Sequence, residues 1–80
     1  MAETTVRPLY EIAAEIKADW TNVYFGAVPY LQAMGMVSSV NDWFGNDTAK
    51  DVVIYFLSNA KTWRGDTAKR VKAALKAMIK

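Results

Sequence analysis

The sequence predicts an all-α fold: a compact bundle of about four helices, at approximately 8–20, 22–34, 48–62 and 66–79, in a single domain of 80 residues. Three observations carry this expectation. Apolar residues recur at helical spacing near both ends of the chain. The tetrapeptide DTAK occurs twice, at Asp47–Lys50 and Asp66–Lys69, each time just ahead of a new apolar period. Strand partners are scarce, because beside Val52–Leu57 only the short "NVYF" offers a pairing.

The first helix is read from Leu9, Ile12, Ala13, Ile16 and Trp20, which fall on one stripe. Pro8 suits its first turn, where a missing N–H costs little. Glu11, Glu15 and Asp19 form a second, acidic stripe, with Arg7 four residues before Glu11. Residues 1–6 are expected to form a flexible tail. The second segment, "TNVYFGAVPYLQAMG", has capping residues at Thr21 and Asn22 and a helix stop at Gly35. Pro29 interrupts it, so either the helix is kinked there or a turn at Gly26 precedes a shorter helix beginning near Pro29. The kinked helix is the preferred reading. The stretch "MVSSVNDWFGN" reads as a loop with one helical turn, Ser39 capping and Trp43 and Phe44 folding inward.

Val52–Leu57, "VVIYFL", has β-branched and aromatic residues that would suit a strand. Upstream capping chemistry and the absence of turn residues before Gly65 favour a helix instead. Apolar nearly all round at its centre, that helix belongs in the middle of a bundle. Thr48 with Asp51 resembles a capping box in which Asp replaces the usual Glu or Gln. The last helix buries Val71, Ala74, Leu75, Met78 and Ile79 and gathers Lys69, Lys72, Lys76 and Lys80 on one side. Gly65 ends the preceding helix and Asp66 caps this one. The residues after the two DTAK copies differ entirely, so the echo is one capping solution used twice rather than a repeat.

Composition narrows the chemistry. The chain contains neither cysteine nor histidine, which removes thiolate and imidazole ligands and the commonest nucleophile–base pairs. Its four glycines stand apart, so no glycine-rich phosphate loop exists. We expect no catalytic, metal or cofactor residues. The longest apolar run is six residues, far below the roughly 18 that suggest a membrane span, and the polar N-terminus lacks a signal-peptide core. The cytoplasm is the expected compartment. NDT and RGD (Arg64–Asp66) match a sequon and an adhesion motif, but such short matches arise by chance and both functions require secretion.

Charge is uneven. Residues 61–80 carry seven bases and one acid, a balance of +6, while residues 1–60 carry three bases and seven acids, a balance of −4. The basic end suggests an anionic partner, with Arg64, Lys69, Lys72 and Lys76 meeting phosphates and Trp63 packing on a base or sugar. A helix-turn-helix reading fits poorly, since Asp66 is acidic and only Arg70 suits base-edge readout. The same lysines can instead form a solvated face, or pair with the acidic column of the first helix. Aromatics offer a second route to function. Tyr24, Phe25, Tyr30, Trp43, Phe44 and Trp63 cannot all be fully buried in so small a protein. Trp43, Phe44 and Trp63 are the candidate partner-binding residues. A non-enzymatic protein-interaction module is therefore the leading expectation, with nucleic-acid binding the alternative and a hydrolase built on Glu11, Glu15 and Asp19 the third reading. Self-association stays open.

In "EIAAEIKADWTNVYFGAVPYLQAM" and "IYFLSNAKTWRGDTAKRVKAALKAM" the chain resembles a group of small uncharacterised bacterial and phage- or prophage-type proteins. The resemblance covers most of residues 8–79 and implies a phage or mobile-element accessory protein. It carries over no functional residues.

Overall fold

Leu9–Asp19 forms the first helix, α1, because its apolar stripe has a core to face. Leu9, Ile12, Ala13 and Ile16 are all buried along it, and Trp20 is buried just past its end. The computed structural model describes residues 7–80, so the expected 1–6 tail lies outside the described residues. Pro8 stands at the N-cap, its carbonyl accepting from the N–H groups of Glu11 and Ile12. The N–H of Leu9 donates to the Ser38 carbonyl, tying the start of α1 to the distant loop.

The second helix is shorter than expected. Residues 21–24 are not helical; a 3₁₀ turn at Phe25–Ala27 leads into α2, Val28–Met34. Pro29 lies in the first turn of α2, where its missing N–H leaves no helical bond unmade. The expected helix over 22–34 with a kink at Pro29 is therefore corrected to the other arrangement, a turn at Gly26 followed by a short helix. Gly35 closes α2 as anticipated, its N–H shared between the Leu31 and Gln32 carbonyls.

Next comes a feature that the all-α expectation omits. Trp43–Phe44 (β1) and Asp47–Thr48 (β2) pair antiparallel, Trp43 opposite Thr48 and Phe44 opposite Asp47. Gly45 and Asn46 make the two-residue loop. Gly45 has φ +66°, while no residue other than glycine has positive φ among those described. A left-handed first loop residue followed by an ordinary one is the pattern of a II′ turn, which demands glycine first. The fold is thus mostly helical, with a small hairpin.

Thr48 then caps α3, Ala49–Ser58, its hydroxyl accepting from the Asp51 N–H at 3.3 Å. Val52–Leu57 lies within this helix rather than in a strand, and the helix stops four residues short of the expected 62. The Ser58 hydroxyl donates to the Ile54 carbonyl, and the Asn59 side-chain amide to the Tyr55 carbonyl, an acceptor that a further turn would have used. Contrary to a central position in the bundle, α3 buries one stripe (Ala49, Val52, Val53, Phe56) and exposes Ile54 and Tyr55.

The last helix, α4, runs Asp66–Met78. Gly65, not Asp66, is its N-cap, with φ +117° and ψ −179°, a combination essentially reserved for glycine. Asp66 instead contributes negative charge to the first turn. Ala68, Val71 and Leu75 are buried, Met78 and Ile79 pack at the margin, and Ala74 faces solvent. Helix α2 packs on α3 and on α1, and α1 also packs on α4. In the core Trp20 stacks on Trp63 with centroids 5.8 Å apart, and each meets Phe56 in an edge-type arrangement.

Candidate interaction surface

The hairpin is short, and two residues per strand cannot hold it on their own. Its base is anchored by the rest of the chain. The Ala49 N–H donates to the Asp42 carbonyl at 2.7 Å and the Lys50 N–H to the Val40 carbonyl at 2.9 Å. Ahead of β1, the Asp42 carboxylate accepts from the N–H groups of Ser38 and Ser39, and the Ser39 hydroxyl from Asn41. Ser39 thus organises a turn rather than a helix.

On this support Trp43 is 68 % exposed and Phe44 40 % exposed. They do not fold inward, because each strand ends before the chain can reach back over the core. A tryptophan so far in solvent on a fixed backbone presents a large apolar area at little further entropic cost. Asp47 beside Phe44 is exposed as well, so the hairpin carries negative charge next to its aromatics.

Trp63 is a different case. It is 2 % exposed, and its indole N–H donates to the Asp19 carboxylate at 2.8 Å. Such a residue can neither anchor a partner nor stack on a base; it belongs to the core. Lys72 is withdrawn too. Its ammonium donates to the carbonyls of Ala60 (2.7 Å) and Trp63 (2.6 Å) and lies 5.8 Å from the Trp63 ring centroid. Burial pushes its pKa below the usual lysine range, with the like charges of Lys76 and Arg64 adding to the effect. Arg64, Lys69 and Lys76 remain exposed. Arg64, Lys69 and Lys72 line a shallow cleft of about 270 Å³ together with Gly65, Ala68 and the edge of the buried Trp63.

The acidic column does meet the basic helix, but through Arg70 rather than the lysines. Glu15 lies between Arg70 of α4 and Arg7 ahead of α1, the latter at 2.6 Å, and Arg7 also approaches Glu11 at 3.7 Å. Hydrogen bonds from Arg70 and then Arg7 hold the Glu15 carboxyl below its usual pKa, and the bond to Glu15 raises Arg7 in turn. With Asp19 bonded to Trp63, all three column residues have partners within the fold.

Another aromatic group is only partly foreseen by the sequence. Phe25 is 79 % exposed and lies against Tyr24, with centroids 4.8 Å apart; Tyr30 meets Tyr55 across α2 and α3 at 5.5 Å. Ile54 and Tyr55 are the residues that periodicity could have found. Once Ala49, Val52, Val53 and Phe56 define the buried stripe, 54, 55 and 58 fall opposite it. Among the described residues no three Asp or Glu side chains come together as a metal site would need. None of the helices described is long and apolar enough to cross a membrane.

No family model, curated protein or solved structure matches the chain, and nothing in these comparisons links it to phage or bacterial groups.

Proposed function

We propose that this protein is a non-enzymatic interaction module, cytoplasmic and of the accessory type, which binds another protein through Trp43 and Phe44. The observation that carries the reading is the exposure of Trp43 on a hairpin whose backbone is tied to α3 and to the loop before it. Tryptophan is the residue most enriched at binding hot spots, and a rigid presentation reduces the entropy lost on docking. The adjacent Asp47 favours a partner whose apolar pocket has a basic rim. Loss of Trp63 from the candidate set leaves Trp43 and Phe44 as the pair of anchors.

The hydrolase reading has less support. A general acid needs a raised pKa, whereas Glu15 is held low by two arginines. Nucleic-acid binding retains Arg64, Lys69 and Lys76, and the like charges of Lys76 and Arg64 near Lys72 are what an anion would relieve. Without Trp63 and Lys72 it becomes a purely electrostatic reading. Short DNA or RNA at low salt tests it: no binding there ends it.

For the main reading, immobilised wild-type protein and a Trp43→Ala variant are exposed to lysate of cells that naturally produce the protein. Proteins recovered by wild type and lost with the variant support the hairpin as the docking element. Identical recovery overturns it.

A further inference from the structure

Charge is sparse on one face of the molecule. Residues 20–41 contain no Asp, Glu, Lys or Arg, nor do residues 52–60, although charged residues make up 22 % of the chain. These two stretches contain α2 and all of α3 beyond its first turn. Their outer surfaces meet in one strip. Phe25 lies on Tyr24; Tyr24 shares a cleft with Ser58, Asn59, Thr62 and, at its edge, Lys61; Asn59 bonds the Tyr55 carbonyl; and Tyr55 packs on Tyr30. Ile54 flanks Tyr55 and is 38 % exposed.

We propose that this face pairs with the same face of a second copy of the chain, forming a two-fold dimer separate from the hairpin surface. Three considerations favour that occupant. A surface with so little charge offers little to select a foreign partner electrostatically, whereas a two-fold contact is satisfied by the same residues on both sides. The copies carry a net +2 each, with the positive charge concentrated in residues 61–80, of which Lys61 lines the cleft beside Tyr24, so the bulk of that charge does not meet itself across the contact. The area is also right for a dimer of modest strength. With Phe25 79 %, Tyr55 46 %, Tyr24 43 % and Ile54 38 % exposed, and an aromatic side chain burying about 150–250 Å², these four offer on the order of 400 Å² per copy. That is the size of the largest patches on ordinary monomers, which are often functional. Two copies then bury about 800 Å² from these residues alone, and roughly 1,200 Å² with the polar rim, the low end for specific association. The dimer is therefore reversible, dissociating in the micromolar range.

Sedimentation equilibrium over about 5–500 μM tests this, that range bracketing a micromolar constant. The mass is expected to rise from 9.0 kDa toward twice that value with concentration. Phe25→Ser and Ile54→Lys should each weaken association at least ~10-fold, the first by removing an aromatic anchor and the second by placing like charges across the axis. Both positions are exposed, so the variants keep their helical circular dichroism. Trp43→Ala should leave the dimer constant unchanged within about 2-fold, since it lies outside the strip. A wild-type protein that stays monomeric throughout overturns the proposal. So does a dimer that ignores both strip substitutions, or one that is lost with Trp43→Ala.

Discussion

Replacing Trp63 by alanine should come close to unfolding the protein, whereas the same change at Trp43 should leave stability unaltered. Trp63 is 2 % exposed, and its ring stacks on Trp20 and meets the edge of Phe56. An indole of roughly 200 Å², at about 25 cal/mol per Å², corresponds to about 5 kcal/mol of transfer free energy. The bond to Asp19 adds little, because that carboxylate is exposed and water can replace the indole. Partial collapse of the cavity brings the expected cost to about 3–5 kcal/mol, the usual range for buried Trp→Ala. A domain of this size has only about 4–12 kcal/mol in total. Urea unfolding followed by circular dichroism is the assay, and Trp63→Phe is the companion variant should the alanine protein not fold. Phenylalanine keeps an apolar ring in the stack and should cost about 1–2 kcal/mol less than alanine does. At Trp43, 68 % exposed, alanine should change stability by no more than about 0.5 kcal/mol. A Trp63→Ala protein within about 1 kcal/mol of wild type, or a Trp43→Ala protein more than about 2 kcal/mol weaker, would refute the division between core and docking residue.

Other outcomes follow from single positions. Gly65→Ala meets no atom within 4 Å but forces alanine to φ +117°, so it should cost about 1–3 kcal/mol from backbone strain alone. Asp66→Ala removes only a favourable charge at the helix start and should cost about 0.3–1 kcal/mol; the reverse order in melting temperature would make Asp66 the cap. Gly26→Ala would place a methyl 2.6 Å from the Tyr24 ring and 2.9 Å from the Asn59 amide oxygen. It should cost about 1–3 kcal/mol and shift the Tyr24 ring resonances; unshifted resonances would show that the approach is not close. Glu15 titrates below the ordinary carboxylate range in the fold, so the unfolded chain takes up its proton first. Its stabilisation is complete above the ordinary carboxylate pKa and is lost as pH falls through the folded value, a slope that Glu15→Gln should remove. An unchanged acid limb in that variant would contradict the pairing with Arg70 and Arg7.

Much of the helical framework was legible because it depends on local period. All five residues of the first stripe, Leu9 to Trp20, are buried, and Thr48 caps α3 as its spacing with Asp51 suggests. What local pattern cannot supply is the fate of residues outside helices, where there is no period to assign a face. Trp43 and Trp63 look equivalent as letters in polar surroundings. One opens the first strand of a hairpin and the other is folded under α4 by a loop that Lys72 braces through two carbonyls. The hairpin had a signal in Gly45–Asn46, a two-residue loop with glycine first, but strands of two residues show no alternation to support it. Pro29 was ambiguous for a physical reason, since the same residue kinks a helix interior and starts a helix, and only packing decides which. The lysine column was read correctly as a helix face, yet Lys72 is lost to it because its partners are backbone carbonyls, which every sequence has.

The capture experiment with wild type and Trp43→Ala, analysed by quantitative mass spectrometry, tests the central claim most directly when paired with melting curves for both proteins. The account predicts that the variant melts like wild type and loses the proteins that wild type enriches. Equal enrichment by two equally stable proteins would contradict it and return the search for function to the aromatic strip of α2 and α3 and to the basic face.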